Sequence, residues 1–163
     1  MKLKDIGFKF LLLLFALVPL AGCNNSRMDF EVALQHMEPG GRLGRKALVT
    51  SLDEWEDLDL ASTMTSPTLI KKYNELAYRY DELFFTNNAV IMFSFGLANS
   101  GGRFNKIQLS RDSNELVLEV IVEKGVLNVT AFGIIILEIS NENISEITTL
   151  NVNLNVLDAN IPG

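Results

Sequence analysis

The chain has 163 residues, a net charge of −6, one Cys and one His. A single thiol excludes an intramolecular disulfide and a cysteine zinc site, and a single imidazole leaves one residue at most for a Ser-His-Asp triad. The acidic balance argues against a nucleic acid partner and against electrostatic attraction to anionic lipid. We therefore predict a non-enzymatic protein with no cofactor, no metal and no catalytic residue.

The N-terminus has the three parts of an export signal. Residues 2–9 carry three lysines, and Phe10 to Leu20 form an apolar run that is shorter than the roughly 20 residues needed to cross a bilayer. The following Leu20-Ala21-Gly22-Cys23 resembles the lipobox of bacterial lipoproteins, in which the Cys is acylated and the chain is cut before it. This resemblance implies a signal peptide over residues 1–22 and a lipidated Cys23. An uncleaved anchor or a buried helix is the alternative.

The mature chain is expected to remain on the extracytoplasmic face of the cell membrane, because two or more acyl chains hold a protein stably on a bilayer. Its net charge would be about −8, since residues 1–22 contain three Lys and one Asp. Residues 23–45 are interpreted as the lipidated tether and linker, with Pro39-Gly40-Gly41 as a breaker. His36 is interpreted as a solvated linker residue, with a catalytic role as the alternative. Alternating apolar residues also allow a short edge strand in this stretch (Phe30, Val32, Leu34).

The folded domain is predicted to occupy residues 46–163 and to begin with a short strand and two helices. Ser51 and Glu54 form a capping-box pattern for the first helix. Its many carboxylates are interpreted as a solvated face, with a calcium site as the alternative. Ser66-Pro67 begins the second helix, where apolar residues from Ile70 to Phe84 recur at three- and four-residue steps and predict packing on a sheet.

From Asn87 onward the pattern predicts strands. The apolar run 89–95 is typical of a strand covered on both faces. Further strands are predicted around 103–110, 115–122 and 130–140, and the last strand alternates apolar residues with asparagines over 150–156. This order predicts a single α+β domain in which two N-terminal helices pack on a mainly antiparallel sheet of about five to six strands.

A glycine turn and nearby cations form the candidate binding site. Gly101-Gly102 is interpreted as a turn rather than a phosphate loop, because a strand follows it and a phosphate loop requires a helix there. Turns on a rigid sheet commonly carry binding residues, so Gly101, Gly102, Arg103 and Lys106 are the predicted partner-binding residues. The alternative is that Arg103, Lys106 and Arg111 only protect a strand edge from aggregation.

Three stretches of the sequence resemble segments of two known families. Residues 80–90 (YDELFFTNNAV) are similar to a segment of small lipoproteins of low-GC Gram-positive bacteria. Residues 100–104 (SGGRF) with Ile107 resemble the T-G-G-Y-x-I motif of the PrcB C-terminal-domain family, and 136–140 resemble the strand that ends that domain. The likeness spans roughly residues 46–156. It departs from the family where Ser100 replaces Thr, where Arg103 displaces the aromatic residue by one place, and where the loop at 123–128 is shortened.

The PrcB resemblance implies an accessory role. The family's named member is a lipoprotein that supports an extracellular protease complex. An exported protein is therefore the expected partner of this chain. A structural cell-envelope lipoprotein without a dedicated partner and a carboxylate-based hydrolase are the alternatives.

Overall fold

The computed structural model describes residues 26–40, 44–98, 102–125 and 130–158, so Cys23 and Gly101 lie outside the described residues. Three α-helices are present in these ranges: α1 (Leu52–Asp57), α2 (Pro67–Ala77) and α3 (Glu82–Asn87). None of the helices in these ranges has the length and apolar character that crossing a membrane requires. The strands are β1 (Ser26–Arg27), β2 (Glu31–Pro39), β3 (Lys46–Val49), β4 (Asn88–Leu97), β5 (Arg103–Asp112), β6 (Glu115–Glu123), β7 (Ala131–Ser140) and β8 (Thr149–Leu157).

The strands form two sheets, whereas the sequence predicted one. The outer sheet has the order β1-β5-β6-β8, and the middle sheet has the order β2-β7-β4-β3. Every neighbouring pair is antiparallel except β6 and β8, which are parallel. The predicted α+β class with mainly antiparallel pairing is confirmed, and the predicted strand number is corrected to eight among the described residues.

The middle sheet is apolar on both faces, which is why it needs a layer on each side. Val90 and Met92 of β4 belong to the core shared with the helices. Ala89 and Ile91 of the same strand belong to the core shared with the outer sheet. The resulting order of layers is helices, middle sheet, outer sheet. The outer sheet contributes a fully buried row from β6, whose alternation in the sequence predicted a shared face (Leu116, Leu118, Val120, Val122).

The helix layer begins at the predicted caps but is divided differently. The Ser51 hydroxyl accepts a 3.3 Å hydrogen bond from Glu54 N, while the Glu54 carboxylate accepts from Thr50 N at 2.7 Å. Ser66 caps α2 by accepting from Leu69 N at 3.3 Å. The single helix predicted from Pro67 to Phe84 is instead two helices, α2 and α3, because Asp81 caps a new helix by accepting from Phe84 N at 2.7 Å.

Residues 26–40, which were predicted to lie in the linker, contain two strands of this fold. β2 pairs with β7 from Glu31 to Pro39, so the short edge strand considered there is nine residues long. The polar residues of β2 weaken the apolar pattern that would predict a strand. In the structure, His36 is partly buried and Glu38 is buried. His36 is half-buried in β2, with Nε2 3.9 Å from Glu38 Oε2, and is therefore not a solvated linker residue.

Candidate functional site

Two of the predicted binding residues, Gly102 and Arg103, lie where the ends of three strands meet. Gly102 precedes β5, and a Cβ added to it would lie 2.8 Å from Glu123 O of β6 and 3.2 Å from Met37 Sδ of β2. The absence of a side chain at Gly102 therefore allows β5 and β6 to approach each other closely. This close contact gives Gly102 a structural role in addition to the predicted binding role.

The two predicted cations are paired with acids on the neighbouring strand β6. Arg103 Nη2 lies 2.8 Å from Glu123 Oε2, and Lys106 Nζ lies 3.6 Å from Glu119 Oε2. The Arg103 side chain is 78% exposed, and that of Lys106 is 49% exposed. Exposed ion pairs stabilise a fold by only about 0–1 kcal/mol. Either cation can therefore exchange its carboxylate for one on a partner at small cost.

The first half of β5 has an open edge. β1 pairs only with Ser110 and Arg111 of β5, and Met28 N then donates a 3.0 Å hydrogen bond to Leu109 O. After Met28 the chain leaves the outer sheet and continues as β2 in the middle sheet. In the described part of the chain, no strand therefore covers β5 from Arg103 to Gln108 on this side.

A groove of about 290 Å³ lies between this open edge and β2. We call it the edge groove, and it is lined by Phe30, Val32, Gln35, Phe104, Asn105, Lys106 and Ile107. Val32 is 42% exposed, a large fraction for an apolar strand residue. Both walls carry an irregularity in strand pairing, between Val32 and Leu34 in β2 and between Phe104 and Lys106 in β5. Such bulges redirect side chains and are frequent beside binding sites.

A second groove, between β2 and α2, lies over a buried polar network. It has a volume of about 410 Å³, and Arg79 and Glu75 are among its lining residues. Arg79 Nη2 donates to both oxygens of Glu138 at 3.1 Å, and the Tyr80 hydroxyl donates to Glu138 Oε1 at 2.8 Å. Burial raises the pKa of Tyr80, and the hydrogen bond to the Glu138 carboxylate raises this pKa further. Tyr80 therefore acts as a hydrogen-bond donor that connects the helix layer to Glu138 of the middle sheet.

A buried carboxylate lies near the only His of the chain. Glu38 Oε1 accepts from Thr65 N at 3.3 Å and from Thr65 Oγ1 at 3.2 Å, while Glu38 Oε2 has no hydrogen-bond partner among the described residues. His36 is the nearby titratable group, at the 3.9 Å given above. Across the described ranges, no three His, Cys, Asp or Glu side chains gather into a group that could hold a metal ion.

Sequence reasoning missed the edge groove because the groove depends on where β1 stops. The alternation of Phe30 and Val32 was visible and allowed an edge strand. It did not show that the chain changes sheets at Met28 and leaves part of β5 open. Of the predicted site residues that the structure describes, only Lys106 lines the groove.

Comparison of the chain with protein-family models, with curated proteins and with solved structures gives no match. The resemblance to the PrcB C-terminal-domain family therefore stays a prediction.

Proposed function

We propose that this protein is a lipid-anchored, non-enzymatic binding module on the extracytoplasmic face of the cell membrane. It binds an extended segment of an exported partner protein in the edge groove. The observation that carries this proposal is the open edge of β5 beside partly exposed apolar residues. Adding a peptide strand to such an edge is a common recognition mode, in which main-chain hydrogen bonds supply affinity and side-chain pockets supply specificity.

The backbone geometry of β5 suits an added strand. Leu109 O accepts from Met28 N, so the Leu109 carbonyl points toward the β1 side of the strand. Residues two apart in an antiparallel ladder direct their backbone groups to the same side. Ile107 therefore presents its N–H and C=O to the edge groove. Val32 and Phe30 supply the apolar wall, and Lys106 at the rim can bind a carboxylate of the partner.

The position of β1 supports a close attachment to the membrane. Cys23 lies three residues before Ser26, where β1 begins, so the two Cα atoms are at most about 11 Å apart. Ser26 pairs with Arg111 of β5. A lipidated Cys23 would therefore hold this end of the domain at the lipid surface.

The groove is tested by substituting Val32 and recovering partners from solubilised membranes. Val32→Asp places a charge in the apolar wall and should abolish recovery of the partner in a pull-down with mass spectrometry. Leu83→Asp is the matched control, since Leu83 is a 73% exposed apolar residue on α3 outside the groove. The proposal fails if both folded variants recover the same proteins as the wild type. That result would favour a structural envelope lipoprotein.

The anchor is tested separately with Cys23→Ser. The wild-type protein should carry acyl chains in its intact mass and should partition into the detergent phase. The variant should lack the acyl mass and keep residues 1–22. A wild-type mass without acyl chains would overturn the lipid anchor and would leave the groove proposal untouched.

A further inference from the structure

We propose that two copies of this chain form a dimer through β8. The free edge of β8 in one copy pairs antiparallel with the free edge of β8 in the second copy, so the two outer sheets join into one continuous sheet. β8 is the edge of the outer sheet opposite the edge groove. The inference therefore does not depend on the proposed function.

β8 lacks the protective features that the other edge strands carry. It is nine residues long and contains neither a charged residue nor Pro (TLNVNLNVL). Among the described edge strands, β1 has two residues, β3 has four and includes Lys46, and β2 carries Glu31 and Glu38 and ends at Pro39. Natural proteins protect free edges with short strands, charges and Pro. β8 has none of these devices.

The hydrogen-bond pattern identifies which groups of β8 are free to pair. Lys124 N donates to Leu157 O at 2.8 Å, continuing the parallel ladder between β6 and β8. Residues of the same parity as Leu157 therefore bond to β6, and the alternate residues direct N–H and C=O outward. Leu150 O fits this pattern because it accepts from Lys46 Nζ at 2.8 Å. That bond covers one end of the edge and leaves three outward residues (Val152, Leu154, Val156).

The sequence of β8 is symmetric in character about Asn153. In an antiparallel pair centred there, Val152 faces Leu154 of the partner subunit and Leu150 faces the partner's Val156. In both residues of each pair, the backbone N–H and C=O point away from β6. The free N–H groups of one copy therefore meet the free C=O groups of the other. Asn153 faces the partner's Asn153, and Asn151 faces the partner's Asn155. The register therefore satisfies hydrogen bonding and keeps apolar residues and asparagines on separate faces.

The chemistry of this edge favours a second copy as the partner. An asparagine amide both donates and accepts hydrogen bonds, so it pairs with itself. The chain carries a net charge of −6, and two copies repel each other least along an edge that has no carboxylate. Val156, which is 36% exposed, gains the partner's Leu150 as an apolar neighbour across the two-fold axis. The partner's Val156 N–H replaces Lys46 at the Leu150 carbonyl.

Disulfide trapping tests the register in the full chain, purified in detergent with Cys23→Ser so that no native thiol remains. At a non-hydrogen-bonded position of an antiparallel pair, the Cα atoms of facing residues lie about 4.5 Å apart. A disulfide can span this Cα–Cα distance. Asn153→Cys should form a covalent dimer under mild oxidation. Asn105→Cys, at an exposed position on β5, is the matched control and should stay monomeric.

A mixture of two variants tests the register further. Asn151→Cys and Asn155→Cys should cross-link with each other when mixed, but neither should cross-link alone. Equal cross-linking of Asn153→Cys and Asn105→Cys would overturn the proposal.

Light scattering tests the dimer without a covalent bond. Asn153→Lys places two like charges against each other on the two-fold axis and should halve the protein mass in the detergent complex. Asn105→Lys adds the same charge on β5 and should leave the mass unchanged. A wild-type protein that is monomeric, or an Asn153→Lys variant that remains dimeric, would contradict pairing through β8.

Discussion

The Tyr80 hydroxyl lies 2.8 Å from Glu138 Oε1 and donates a hydrogen bond to it. Tyr80 is 2% exposed in the segment between α2 and α3, and Glu138 lies in β7 of the middle sheet. The Tyr80 ring also meets the Trp55 ring edge-on, with centroids 4.7 Å apart. This contact therefore joins α1, the break between α2 and α3, and the sheet. Arg79 supplies the compensating charge that a buried carboxylate requires.

The variant Tyr80→Phe measures the hydrogen bond directly. It keeps the ring and removes the donor, so Glu138 loses one of its hydrogen bonds in a buried place. We expect the free energy of unfolding to fall by about 1–3 kcal/mol, measured from denaturant midpoints. Tyr78→Phe is the control, because Tyr78 is 90% exposed, and it should change stability by less than about 0.5 kcal/mol. Equal midpoints for Tyr80→Phe and the wild type would contradict this role.

The same hydrogen bond predicts a loss of stability at alkaline pH. Burial raises the pKa of Tyr80 above its unfolded value of about 10, and Glu138 adds to the effect. The stability contributed by protonated Tyr80 is therefore fully present below pH about 10 and is lost as the pH rises above it. Melting temperatures from pH 7 to 11 should fall more steeply for the wild type than for Tyr80→Phe. Parallel curves would show that Tyr80 does not carry this dependence.

The sequence predicted the local features that depend on neighbouring residues. The start of α2 at Ser66-Pro67 is confirmed. The cap of α1 at Ser51 is also confirmed. The buried face of β6 is also confirmed. Each follows from side-chain spacing or capping chemistry, which a sequence displays directly.

The sequence could not predict what covers each face. Nine of the ten residues of β7 are buried, which indicates cover on both sides but does not distinguish helices from a second sheet. The polar strand β2 gave only a weak signal, since Glu38 is buried by its tertiary contacts with Thr65. The edge groove likewise arises from the change of sheet after Met28, a property of the assembled fold.

The core between the sheets predicts a large effect at Leu118. This residue is completely buried in β6 and faces the middle sheet. Leu118→Ala should lower the free energy of unfolding by about 2–5 kcal/mol, because it removes apolar contacts and leaves a cavity. Leu83→Ala, at a position 73% exposed on α3, should stay within about 0.5 kcal/mol. Urea denaturation of both variants checks the difference, and similar losses would place Leu118 outside the core.

Gly133 in β7 should tolerate no side chain, because Phe95 occupies the space above it. A Cβ added at Gly133 would overlap Phe95 Cζ and would lie 2.8 Å from both Cε atoms. The Phe95 ring has little freedom to move, since it stacks on Phe93 at 5.2 Å and meets the edge of Phe104 at 5.8 Å. Gly133→Ala should therefore cost about 1–3 kcal/mol in denaturant experiments.

Two further variants separate this clash from a general effect of replacing glycine in a strand. Gly96→Ala should be harmless, because a Cβ at Gly96 would have no heavy atom within 4 Å among its described neighbours. Phe95→Leu removes the ring, so Gly133→Ala should cost less in that background than in the wild type. Contacting residues typically show coupling of about 0.5–3 kcal/mol in such a cycle. Additive effects at Gly133 and Phe95 would mean that the ring is not what keeps this position free of a side chain.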